Sequence, residues 1–66
     1  MFAEILRRLR TERGFTQSGL AEKLGVSKQN ISDWENGKSE TSFEILTKIA
    51  KLFDVTVGQL IGSEEY

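Results

Sequence analysis

The sequence predicts an all-α domain of five short helices, and three observations carry the prediction. An apolar residue, a hydroxyl and a second apolar residue four positions after the hydroxyl recur three times along the chain. Glycines close the apolar segments where helices are expected to end. The 66 residues contain no Cys and no His, so neither a disulfide nor an ordinary zinc site can staple so short a chain. The core must come from packed helices, with dimerisation as a further aid.

The first helix is expected near residues 2–13, where Phe2, Ile5, Leu6 and Leu9 form one amphipathic stripe and Arg7, Arg8 and Arg10 lie around the other sides. Gly14 ends it. Phe15-Thr16 before Leu20 has the spacing of a hydrophobic staple around a capped start, which predicts a second helix over 17–24, stopped by Gly25. Val26-Ser27 before Ile31 repeats the device and predicts a third over 28–36, stopped by Gly37. Thr41 with Glu44 reads as a capping box for a fourth over 42–53, whose Phe43, Leu46, Ile49, Ala50 and Phe53 turn toward a core. Val55-Thr56 before Leu60, with Gln59 completing a capping box, predicts a fifth over 57–61, stopped by Gly62. Residues 55–60 also fit a short alternating strand, although no partner strand is evident. No linker divides residues 1–62, and Ser63-Glu64-Glu65-Tyr66 reads as a polar tail, or as the stub of a linker if the chain continues elsewhere.

Composition excludes several function classes. Apolar residues at 38% and charged residues at 29% describe a globular chain and not a disordered one. No apolar run approaches the roughly 18 residues of a membrane span. The opening MFAEILRRLR lacks the apolar region of a secretory signal, so the cytoplasm is the expected setting. Without imidazole or thiol there is no candidate nucleophile–base pair, and neither a cofactor, a metal nor a small-molecule ligand is indicated. Net charge is −1, but residues 1–38 hold seven basic and five acidic side chains against two and five in residues 39–66. A face for nucleic acid therefore belongs in the first part.

Only Gly25-Val26-Ser27 separates the second and third helices, a connection that suits a helix-turn-helix. In the third helix Ile31 and Trp34 point inward, whereas Gln29, Ser32, Asp33 and Asn36 form a polar stripe with Lys28 at its edge. Such side chains can read base edges in the major groove: Gln29 can take adenine in bidentate fashion, Lys28 guanine or a phosphate, and Asp33 a cytosine amine. A solvated helix face has the same composition, and the tight turn before the helix favours the reading face.

The elements Thr16-Gln17, Leu20-Ala21, Leu24-Gly25-Val26-Ser27, Ile31-Ser32 and Trp34-Glu35-Asn36-Gly37-Lys38 resemble the helix-turn-helix domain of Cro and the lambdoid phage repressors. The likeness continues through Ile49-Ala50-Lys51-Leu52 and Val55-Thr56-Val57-Gly58-Gln59-Leu60. It implies a compact five-helix, lambda-repressor-like DNA-binding domain. By the same resemblance Lys28, Gln29, Ser32 and Asp33 face bases, while Gln17, Ser27, Asn36 and Lys38 lie at the sugar–phosphate backbone. Arg10 and Glu35 match a pair that ties the first helix to the third in many members. Val57, Gln59, Leu60 and Ile61 match the dimer surface, with Leu60 also a candidate for the core. Arg7, Arg8 and Arg13 are expected to be solvated, one of them near the duplex.

The sequence also departs from the family. Gly19 stands where a polar or acidic residue is common, removing a capping partner and about 1 kcal/mol of helix propensity. Ser39-Glu40-Thr41 lacks the usual proline and basic residues, and Glu40 would repel a phosphate. The expected function is a sequence-specific double-stranded DNA-binding transcriptional regulator, most simply a repressor acting as a weak homodimer strengthened on a palindromic operator. The alternative is an antitoxin-like or other protein-interaction module of the same fold.

Overall fold

The computed structural model describes residues 2–64, so Glu65 and Tyr66 of the expected tail lie outside the described residues. Within them the chain forms five helices: α1 (Phe2–Glu12), α2 (Gln17–Leu24), α3 (Lys28–Glu35), α4 (Phe43–Phe53) and α5 (Val57–Ile61). Their ends fall within one residue of those expected. No strand is present among the described residues.

Local chemistry fixes four of the starts. The hydroxyls of Thr16, Ser27, Ser42 and Thr56 accept from the backbone N–H three residues on, at 2.9, 3.0, 3.2 and 2.9 Å. At Thr56 the bond is returned, because Gln59 Oε1 accepts from the Thr56 N–H at 2.9 Å. That capping box makes residues 57–61 helical and removes the strand alternative. The staples close as spaced: Phe15, Val26 and Val55 rest half-buried on the core, and Leu20, Ile31 and Leu60 lie wholly inside it.

Two expectations for α4 need correction. Its cap is Ser42 and not Thr41, so the box with Glu44 does not form. A Thr41 cap would take the Glu44 amide, but Ser42 takes the next one along, and with Ser42 in place the third helical position is Ile45, which cannot return a bond. Phe43 accordingly opens the helix and is 71% exposed, outside the core to which its spacing assigned it. The rest of the stripe behaves as expected, with Ile49, Ala50 and Phe53 buried and Leu46 packed against them.

The core draws Ile5, Leu6 and Leu9 from α1, Leu20, Ala21 and Leu24 from α2, and Ile31 and Trp34 from α3, closed by α4 and by Leu60 of α5. Leu60 is fully buried, which removes it from the dimer candidates. Ser63 and Glu64 turn back over α5: both amides donate to the Gly58 carbonyl, at 2.8 and 3.1 Å, and Thr56 donates its hydroxyl to Glu64 at 2.6 Å.

Candidate nucleic-acid interface

The turn between α2 and α3 sets the position of the candidate face. Gly25 adopts φ 73°, a left-handed conformation that side chains other than glycine reach only with strain. Its N–H and that of Val26 return to the Glu22 and Ala21 carbonyls at 3.3 and 3.0 Å, closing α2. Ser27 then caps α3 at once. Two helices thus meet across three residues, and Ile31 and Trp34 anchor α3 from behind.

The outward side of α3 carries the expected polar residues. Lys28 and Gln29 are exposed, Ser32 and Asp33 half-buried, and Asn36 and Lys38 exposed beyond the helix. They are joined along the helix: Gln29 Nε2 donates to Asp33 Oδ1 at 2.9 Å, and Asn36 Nδ2 donates to Ser32 Oγ at 3.3 Å. Ser27 spends its oxygen on the cap and keeps its O–H as a donor.

Behind this face lies a charged cluster. Glu35 is buried, its side chain fully enclosed. Arg10 Nε donates to Glu35 Oε2 at 2.6 Å and Arg10 Nη2 to Oε1 at 3.1 Å, a two-pronged bridge from α1 to α3. Arg10 Nη1 also donates to the Phe15 carbonyl at 2.9 Å. Gln17, the first residue of α2, donates Nε2 to Glu35 Oε1 at 3.2 Å, and Arg7 Nε stands 3.6 Å from the same oxygen. One carboxylate therefore joins three helices. Because a carboxylate only accepts, the Gln17 amide must present its NH₂ to Glu35, leaving one N–H and the carbonyl for an incoming group.

Burial pushes the Glu35 carboxyl up, but the hydrogen bonds from Arg10 and Gln17 and the charges of Arg10 and Arg7 outweigh it, so its pKa lies below the ordinary 4.5. A lowered folded-state pKa adds stability that is complete above the unfolded value and drains away as pH falls through the folded one. Thermal melts are expected to show wild-type stability declining below about pH 4.5, with a visibly flatter decline for Glu35→Gln. Parallel curves for the two proteins would assign the acid sensitivity elsewhere.

Arg7 and Arg13 are exposed, as expected, and each also has a structural partner. Arg13 Nη1 donates to the Phe53 carbonyl at 2.8 Å, and its guanidinium carbon lies 5.5 Å from the centroid of the Phe53 ring. A cation at the end of α4 meets both the helix dipole and a π face there. Arg7 belongs to the Glu35 cluster. A separation of 40 residues between Arg13 and Phe53 leaves no periodic trace that could have announced the contact. On the far side, Phe2, Trp34, Leu46 and Ile61 line an open groove of about 320 Å³. Ile61 is exposed, while Val57 and Gln59 are half-buried. No helix among the described residues is long and apolar enough to cross a membrane. Among them no group of His, Cys, Asp and Glu could hold a metal ion.

Comparison with known proteins places this geometry. A helix-turn-helix family model matches residues 6–60. The transcriptional activator BcrR of Enterococcus faecalis is 47% identical over 64 residues, covering 97% of this chain and 31% of its own length. The crystal structure of SinR, a master regulator for biofilm formation, in complex with DNA superposes with a TM-score of 0.82 at 35% identity, covering 92% of this chain and 98% of that one. The same helices occur in the hydroxypropylphosphonic acid epoxidase of S. wedmorenis, with a TM-score of 0.81 at 32% identity over 89% of this chain and 31% of the enzyme. The fold alone therefore does not decide activity. This chain spans between 31% and 59% of the length of BcrR and four further curated regulators. With a family model over most of its length and a fold shared with DNA-bound SinR, the chain belongs to the Cro-type helix-turn-helix family.

Proposed function

We propose that this domain reads a palindromic DNA operator as a dimer, inserting α3 into the major groove, and represses transcription in the cytoplasm by occluding polymerase. The observation that carries the reading is the polar stripe of α3, held in place by the buried Arg10–Glu35 bridge and flanked by Lys28 and Lys38. Lys28, Gln29, Ser32 and Asp33 face the bases; Gln17, Ser27, Asn36 and Lys38 meet the backbone. The first residues of α2 add helix amides with no partner inside the helix, which suit a phosphate beside Gln17. A single module touches few base pairs, each worth about 1–3 kcal/mol of discrimination, so two copies are needed to specify a site. Val57, Gln59 and Ile61 supply the dimer surface, with the groove that Ile61 lines together with Phe2, Trp34 and Leu46.

Selection of the protein against random duplex DNA tests this reading. Enrichment of a palindrome with half-sites about 34 Å apart is expected. A single half-site would remove the dimer, and no enrichment by folded protein would favour the protein-interaction alternative. On the selected site, Gln29→Ala should alter base preference at one position per half-site, whereas Gln17→Ala should weaken all duplexes alike. Binding titrations that show unchanged affinity and preference for Gln29→Ala would remove α3 as the reading helix. BcrR is a transcriptional activator, which favours activation as a second reading. A promoter reporter separates the two by the sign of its response.

A further inference from the structure

Gln29 and Asp33 stand one helical turn apart, and Gln29 Nε2 donates to Asp33 Oδ1 at 2.9 Å. The direction of that bond is dictated by chemistry, because an ionised carboxylate offers no proton and the amide must turn its NH₂ toward it. A free glutamine amide has two ways to read a purine. It can give both N–H groups to the two acceptors of guanine, O6 and N7, or pair its carbonyl and one N–H with the adenine N6 amine and N7. Asp33 consumes one N–H and thereby closes the first option. What remains is one acceptor beside one donor, the complement of adenine. The carboxylate charge beside the amide further disfavours the guanine O6 oxygen. Ser32, between Gln29 and Asp33 in sequence, is engaged by Asn36 instead.

From this geometry we propose that Asp33 is a specificity-determining positioning residue, which restricts Gln29 to adenine over guanine by holding its amide in one orientation. This rests on the reading of α3 as the recognition helix. It replaces direct recognition of a cytosine amine as the main task of Asp33.

The test uses the full chain and an operator obtained by selection. The base pair read by Gln29 is identified as the one at which Gln29→Ala loses preference. Wild type is expected to prefer adenine over guanine there by about tenfold, and to lose a similar factor when that adenine is replaced by 7-deazaadenine, which lacks N7. Asp33→Ala should bring the adenine-to-guanine ratio to within about threefold while preferences at bases read by other residues persist. Asp33→Asn keeps an acceptor for the Gln29 amide, so it should retain adenine preference. That rescue separates hydrogen-bond positioning from loss of charge. A guanine at the Gln29-dependent position, or an unchanged ratio in Asp33→Ala, would overturn the proposal and leave operator reading intact. Failure of wild type to select any site would instead overturn the reading on which it rests. Circular dichroism of each variant keeps loss of folding from passing as loss of preference.

Discussion

Arg10→Ala is expected to destabilise the domain by about 3 kcal/mol or more, the usual consequence of stranding one member of a buried pair. The guanidinium satisfies both oxygens of Glu35 and the Phe15 carbonyl, so its removal leaves acceptors on α3 and on the α1–α2 turn without their donor. Gln17 and Arg7 remain beside Glu35 and hold the loss to the lower end of the about 3–5 kcal/mol range. A domain of this size has a total stability of only about 3–10 kcal/mol, so a large fraction of the variant should be unfolded at moderate urea. The double variant Arg10→Met with Glu35→Leu separates stranding from general disruption. Apolar replacement of both partners is often neutral, and most of the stability should return even though the bond to Phe15 is gone. Urea midpoints decide it: a loss below about 1 kcal/mol for the single variant, or a double variant no better than the single one, would refute the account. Operator affinity of the folded double variant should still fall, since Gln17 loses the carboxylate that positions its amide.

Phe53→Ala should be at least as damaging, at about 3–5 kcal/mol. Phe53 is 1% exposed and meets the edge of Phe15, with ring centroids 6.1 Å apart at 65°. Its removal opens a cavity where the C-terminal end of α4 meets the core, ends the edge-to-face contact and leaves the Arg13 guanidinium without its ring. Phe43→Ala, ten residues earlier on the same helix, provides the control: at 71% exposure it should change stability by no more than about 0.5 kcal/mol. Denaturation of the pair therefore reads out where the core ends. Equal losses would mean that the first turn of α4 is covered by something the isolated domain supplies.

These two phenylalanines also show what a sequence can and cannot disclose. Helix starts and stops are local events, decided by a hydroxyl and an amide three residues apart or by a glycine at positive φ, and the spacing of Thr16, Ser27 and Thr56 displayed them directly. Ser42 beside Thr41 could not be resolved that way, because either hydroxyl satisfies the same local rule. Whether Phe43 is covered depends on what neighbouring helices reach, and periodicity along one helix carries no such information. The candidate face was legible as a polar stripe, and the resemblance pointed to Arg10 and Glu35. The recruitment of Gln17 and Arg7 to the same carboxylate, and of Arg13 to the end of α4, joins segments far apart in sequence and had no local signal. Gln29 and Asp33, four residues apart on one helix, carried a signal that spacing alone could have shown.

The locality of the caps has a kinetic meaning. Four of the five described helices are capped by bonds that span three residues, and the bonds that close α1 to α4 span three to five. Little loop entropy stands between the unfolded chain and its helices, which places the domain among helical proteins that fold in about microseconds to milliseconds. The Arg10–Glu35 and Arg13–Phe53 links span 25 and 40 residues, so loop-closure entropy is expected to place them late in folding. Bonds formed that late leave the folding rate almost untouched and act as brakes on unfolding. The lifetime of the α1–α3 arrangement, and not the speed of its formation, is what the buried arginine is expected to govern.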